Sequence, residues 1–197
     1  FGTIDTLSSM EALITSLSYT FQLYFDFSGY CDMAIGIGHM FNIELPQNFN
    51  SPYKSASITE FWDRWHMSLT RFLKTYIYIP LGGNRKGESR TVCNLLAVWA
   101  LTSVWHGTSA NFLIWGMLLW LAIVIERQVD ALEVFSRLGK TPKKVLAHLY
   151  IWAFIPVTWV CFEVTDIAQL QIFLGRMFHV VPGIKVSAGD WRSALAN

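Results

Sequence analysis

The run from Val92 to Ile125 holds 34 residues without one Asp, Glu, Lys or Arg. A helix needs only about 20 apolar residues to cross a bilayer core, so this run limits the fold more than any other feature. As one straight helix it would be about 51 Å long, against a hydrocarbon core of about 30 Å. Its flanks are basic. "LGGNRKGESR" ahead of it carries Arg85, Lys86 and Arg90, and "ERQVDALEVFSRLGKTPKK" behind it has five basic and three acidic residues. The positive-inside tendency places both flanks in the cytoplasm. The run must therefore turn back, and two short helices are expected to meet near His106–Asn111, where Gly107, Thr108, Ser109 and Asn111 are weak helix formers. Irregular backbone at membrane depth is tolerated only inside protein or facing a watery cavity. That reasoning puts His106 at the end of a polar cavity. The alternative is that His106 only caps the broken helix.

Composition agrees with a membrane protein. Of 197 residues, 53% are hydrophobic and 15% charged, where a soluble domain carries about 25% charged residues. The net charge of +1 argues against nucleic acid as a partner. Cys31, Cys93 and Cys161 are too few and too widely spaced for a zinc site or a disulfide framework, so no metal is expected. No signal-peptide pattern stands at the first residues, which run straight into an apolar segment, and the chain reads as a fragment of a longer protein.

The first apolar region, Met10 to Ile43, contains "LSYTFQLYFDFSGYCDMAIGIGHMF". Asp26 and Asp32 lie inside it, and carboxylates at membrane depth are suspects for function or for hydrogen bonds that hold a bundle together. Ser28, Asp32 and Gly36 share one face and Ala34 and Gly38 another, spacings that let helices approach closely. "LPQNFNSPYKSAS" then reads as an interfacial loop, and Ser57 with Glu60 has capping-box spacing. The following segment, "ITEFWDRWHMSLTRFLKTYIYIP", is amphipathic. Ile58, Phe61, Trp62, Trp65, Leu69, Phe72, Leu73 and Tyr76 form its apolar stripe, and Glu60, Asp63, Arg64, Arg71 and Lys74 its polar face. Its pattern predicts one helix lying in the membrane interface, ending at Pro80. His66 falls at the border of the two faces, as a structural group or as part of a cavity wall. The stretch Val145 to Phe162, with His148 and Pro156, reads as a further span. The end, "DIAQLQIFLGRMFHVVPG", fits either a half-span or a surface helix.

Three of these stretches, "QLYFDFSGYCDMAIGIG", "FWDRWHMSLTRFLKTYIYIPLGGNR" and "VWHGTSANFLIWG", together resemble the membrane-bound O-acyltransferase family, and within it the alginate O-acetylation and teichoic-acid D-alanylation branch. The resemblance spans roughly residues 20 to 126. It implies an all-α, multi-pass transmembrane bundle with a tunnel, an interfacial amphipathic helix and a broken or re-entrant helix pair. The whole chain, 1–197, would be the C-terminal part of one such domain in a bacterial inner or plasma membrane. The family's invariant histidine carries over to His106, and a second, from its Arg-Trp-His motif, to His66. Lys74 and Thr75 depart from the family's Arg-Asp before Tyr76, and Asn111 stands where a bulky aromatic is common.

The chemistry fits these residues. Transfer of an acyl group from a thioester to a hydroxyl needs a base near neutrality, which a neutral imidazole supplies. His106 is the expected base, with His66 orienting the donor or sharing the proton. Asp26, Asp32, Trp62, Arg64, Trp65, Trp105 and Asn111 are the candidate channel residues. The resemblance implies an acyl thioester donor (acetyl-coenzyme A or an acyl carrier protein) with no resident cofactor. It also implies membrane lipid around the chain, a polysaccharide acceptor and an extracytoplasmic acetyltransferase partner. A transporter with a proton relay through Asp26, Asp32 and His106, or a structural subunit, are readings of a different class.

Overall fold

The computed structural model describes residues 4–132 and 139–178, and among these the regular elements are helices. A single turn at Ile4–Thr6 leads into α1, Ser9–Met40. There Ser8 accepts from the Glu11 N–H while Glu11 accepts from the Ser8 N–H at 2.7 Å, a complete capping box. A turn at Pro52–Lys54 precedes α2, Ile58–Arg64, and α3, Met67–Leu73, which continues into a wider π turn at Lys74–Tyr78. Then follow α4, Glu88–His106, α5, Ala110–Ala131, α6, Lys140–Glu163, and α7, Ile167–Met177. Two helices, Ala110–Asp130 and Lys140–Glu163, are long and apolar enough to cross a membrane.

The uncharged run is a helical hairpin. α4 and α5 meet across residues 107–109, and Arg127 near the end of α5 bridges Glu88 at the start of α4 at 2.7 Å. Both flanks therefore lie at one end of the hairpin. The Trp120 indole donates to the Val92 carbonyl at 3.1 Å, which fixes the register. Close approach depends on Gly116, where a Cβ would overlap Ser103 Oγ. The five-residue step of the π turn, Ile79 N–H to Lys74 carbonyl at 3.0 Å, lets the chain leave α3 just before Pro80.

α6 packs between α1 and α5. Ala12, Ser16 and Thr20 form the buried small-residue stripe of α1, and Ser16 Oγ donates to the Pro156 carbonyl at 3.1 Å. The proline has no N–H to extend its own helix, and its own carbonyl accepts from α1. The stripe expected at Ser28, Asp32 and Gly36 is not in contact. A Cβ on Gly36 would meet nothing within 4 Å, whereas Gly38 is closed by its own turn at Ile43 and Leu45. Small residues mark a close approach only where a partner arrives, and α6 arrives one half-helix earlier.

The amphipathic segment is two helices, not one. Trp65 is extended, His66 is left-handed at φ 47, and the chain restarts at Met67. The loop before α2 makes this break. Phe49 pairs antiparallel with Trp65, Asn50 N–H donates to the Arg64 carbonyl, and Met67 N–H donates to the Asn48 carbonyl, both at 3.0 Å. Asn48 Oδ1 then accepts from the Ser68 N–H at 3.0 Å and its hydroxyl at 2.6 Å, so the new helix is capped from the loop. The apolar stripe splits accordingly. Ile58, Phe61 and Trp65 are buried, while Phe72 and Tyr76 are exposed and meet at a tilt, with ring centres 4.9 Å apart.

The capping box at Ser57 is half made. Ser57 accepts from the Glu60 N–H at 3.0 Å, but Glu60 accepts from Ala56, and the Ile58 N–H goes to Glu126 of α5 at 2.7 Å. Glu60 and Arg64 form the i,i+4 pair at 2.8 Å. His148 Nδ1 lies 3.0 Å from the Ser55 carbonyl. α7 has 11 residues, and its Leu170, Phe173 and Met177 are buried where it packs on α1 and the first turn. Residues 133–138, within the basic stretch behind the hairpin, and the chain after Phe178 lie outside the described residues.

Candidate active site

Two of the chain's histidines occupy the two helix breaks, and the fold brings both breaks to one cavity. His106 is the last residue of α4, and His66 the residue before α3. They line one cavity of about 290 Å³ together with Phe27, Trp62, Trp65, Trp99, Trp115, Trp159 and Phe162. Neither imidazole is hydrogen-bonded to another described residue. His106 is held by rings instead, at 5.1 Å from Trp115, 5.1 Å from Phe162 and 4.7 Å from Trp105. His66 stands edge-on to Phe27 at 4.8 Å. The capping alternative for His106 thus finds no carbonyl partner among the described residues. The break is closed by Gly107 itself, whose N–H donates to the Ser103 carbonyl at 3.2 Å and where a Cβ would overlap the Phe112 ring.

The cavity is elongated. On α4 its wall is Leu95, Val98, Trp99, Thr102 and His106, an i, i+3, i+4, i+7, i+11 pattern about 17 Å long at 1.5 Å per residue. On α5 it is Trp115, Ile123 and Arg127, about 18 Å in the opposite chain direction. The third wall runs from His66 through Leu69, Thr70, Leu73 and Lys74 to Tyr78. Each wall places a histidine or its tryptophan neighbour at one end, and at the other stand Leu95 on α4, Arg127 on α5, and Lys74 and Tyr78 after α3. The result is an elongated, mostly apolar cavity with both imidazoles toward one end and Lys74, Tyr78 and the Arg127–Glu88 pair toward the other. Burial holds the His66 imidazole below its ordinary pKa, so the neutral form, which can accept a proton, prevails near pH 7.

The candidate channel residues separate into three groups. Trp62 and Trp65 line the channel. Trp105 is 61% exposed and covers His106 and His66 from outside, with ring centres 4.7 and 6.4 Å away. The rest are elsewhere. Arg64 is engaged by Glu60 and the Asn50 carbonyl. Asn111 is buried but ties α5 to α6 through the Phe162 carbonyl at 2.8 Å. Asp26 is exposed and borders neither cavity, while Asp32 borders a second, polar cavity of about 350 Å³ with Ser28, Gln47, Asn48 and Tyr24. Their helix positions face away from α6, so both carboxylates miss His106.

Several lining residues had no signal in the sequence. Phe27, Trp159 and Phe162 reach the site from α1 and α6, and nothing local distinguishes them from core aromatics. Trp115 had a weak one, as a tryptophan flanking the histidine break. Lys74, on the polar face, borders the cavity although its exposure suggested only a solvated side chain. No group of three or more His, Cys, Asp or Glu able to hold a metal occurs among the described residues.

Among the described residues the fold is helical, two of its helices are long and apolar enough to cross a membrane, and two histidines at helix breaks line one cavity. The model of the membrane-bound O-acyltransferase family matches residues 5–165, and the chain belongs to that family. It is 50% identical over 178 residues to a protein named peptidoglycan O-acetyltransferase from Helicobacter pylori, covering 90% of this chain and 33% of the relative. It is 42% identical over 185 residues to a protein named probable alginate O-acetylase AlgI from Azotobacter vinelandii, covering 92% and 34%. With the teichoic acid D-alanyltransferase of Bacillus subtilis it shares 34% identity over 179 residues, covering 85% and 42%. The chain thus spans about a third of the length of the first two relatives.

Proposed function

We propose that the full-length parent of this chain is a multi-pass O-acyltransferase of a bacterial cell membrane. It takes an acetyl group from a cytoplasmic thioester, acetyl-coenzyme A or an acyl carrier protein, towards hydroxyls of an extracytoplasmic polysaccharide such as alginate or a cell-wall polymer. An extracytoplasmic acetyltransferase partner completes the transfer. The observation that carries this reading is the elongated cavity, lined by His106 and His66 toward one end and by Lys74 and Arg127 toward the other. An extended thioester with an anionic end fits that polarity. The basic stretch before α4 lies at the same end as Lys74 and Arg127, which supports entry from the cytoplasm.

In the channel the acceptor oxygen attacks the thioester carbonyl. His106, free of other hydrogen bonds, accepts the hydroxyl proton, and His66 orients the donor or shares that proton. General-base assistance of this kind contributes about 10²–10⁴-fold. In the bilayer, α5 and α6 are spanning helices, the open end of the α4–α5 hairpin is cytoplasmic, and α2 and α3 run between that end and the His106 end of the cavity. A proton relay through Asp26, Asp32 and His106 has no support in the geometry, since neither carboxylate reaches the histidine channel. The test is polymer acetyl content in cells carrying the full-length protein. His106→Ala is expected to abolish acetylation at near-normal membrane abundance, and normal acetylation would sink the assignment.

A further inference from the structure

Near His106 the channel is short of groups that could hold a carbonyl oxygen. The Thr102 hydroxyl, one turn before His106, donates to the Val98 carbonyl at 2.8 Å, and that of Thr70 donates to the Trp62 carbonyl at 2.9 Å. Two buried side-chain donors on the channel walls remain without a partner among the described residues, the indole N–H groups of Trp62 and Trp115. A buried donor left unpaired is costly, and native structures rarely leave one without a use. Trp115 is fully buried, and its ring centre is 5.1 Å from the His106 imidazole and 5.7 Å from the Trp62 ring.

We infer that the Trp115 indole N–H is the donor that binds the carbonyl oxygen of the transferring acyl group beside His106, and that Trp62 serves a second acceptor further along the same ligand. The inference rests on the acyl-transfer reading and assigns that reaction a further catalytic group. In the step, the acceptor oxygen bonds to the carbonyl carbon and its proton passes to the imidazole. The carbonyl oxygen becomes negative under the indole N–H. The C–S bond then breaks, and the proton moves from the imidazole to the departing thiolate. A donor fixed in an apolar wall stabilises that charge more than the neutral thioester, which is what lowers a barrier. Trp62, one ring further off, contacts ground state and transition state alike, so it affects binding rather than rate.

The test uses membranes containing the full-length protein and acetyl-coenzyme A as the donor probe, with thiol release giving kcat and KM. Trp115 is replaced by Phe and, separately, by 3-benzothienylalanine, which keeps the bicyclic shape but carries sulfur in place of N–H. The expected result for the isostere is a kcat lower by about 10²–10³-fold, the usual cost of one oxyanion donor, with KM within about twofold. Trp62→Phe is expected to raise KM severalfold and leave kcat within about twofold. Normal kcat with the isostere at position 115 overturns the inference, leaving that N–H only an edge of the ring stack. If the unmodified protein releases no thiol, the thioester reading itself fails and takes the inference with it.

Discussion

The two histidine breaks differ in what makes them. At His106 the helix ends through its own sequence: Gly107 packs under Phe112, and Ser109 and Ala110 restart the chain as α5. At His66 no glycine or proline interrupts the helix pattern. Here the backbone is held left-handed from outside by Asn48, Phe49 and Asn50, which take the hydrogen bonds that a continuous helix would have made internally. One break is local and the other is tertiary. His66 is presented by left-handed backbone, whereas His106 is the last helical residue before its turn.

The largest effect should come from removing the base while keeping the fold at each break. His106→Asn retains a hydrogen-bonding amide but cannot take a proton at neutral pH, and polymer acetylation should fall by about 10²-fold or more. His66→Asn, in a residue type that tolerates left-handed backbone, should reduce acetylation less. Equal losses, measured with membrane abundance in the same cells, would show that the histidines act as one unit and erase the functional half of the comparison.

Next come changes that close or open the breaks themselves. Gly116→Val overpacks the hairpin at Ser103 and should destabilise the purified protein by about 1–3 kcal/mol, read as a lower thermal midpoint. Asn48→Ala removes both acceptor bonds to Ser68 and should cost about 1–2 kcal/mol. It should also lower acetylation although His66 is intact. Full activity in that variant would mean that the His66 break does not depend on the loop.

A smaller contrast isolates backbone strain. Left-handed backbone costs an ordinary residue about 1–2 kcal/mol, so His66→Gly should be more stable than His66→Ala by about 1 kcal/mol. The order of their thermal midpoints checks it. A reversed order at position 106, where the residue is helical and Ala should beat Gly by about 1 kcal/mol, sharpens the difference. Smallest of all, Asp26→Asn should alter stability by no more than about 0.5 kcal/mol and leave acetylation unchanged. A large loss of acetylation there would return the proton relay to consideration.

The sequence by itself determined the helical class, the hairpin, its turning point at residues 107–109 and the position of His106 at that turn. These follow from signals within one window: run length against bilayer thickness, flanking charge, and weak helix formers in sequence. It also supplied both histidines and the Arg-Trp-His stretch. Only the tertiary structure decided that α2 and α3 are separate, because the bonds that part them come from residues 48–50 and leave the apolar period undisturbed. Only packing decided which aromatic residues form the cavity, since Phe27, Trp159 and Phe162 carry no local mark and reach it from helices far apart in the chain. The aspartates show the same limit from the other side. Asp26 and Asp32 stood out as carboxylates in an apolar helix, yet the face of α1 that meets α6 is set by Ala12, Ser16 and Thr20, where small side chains let the backbones come close.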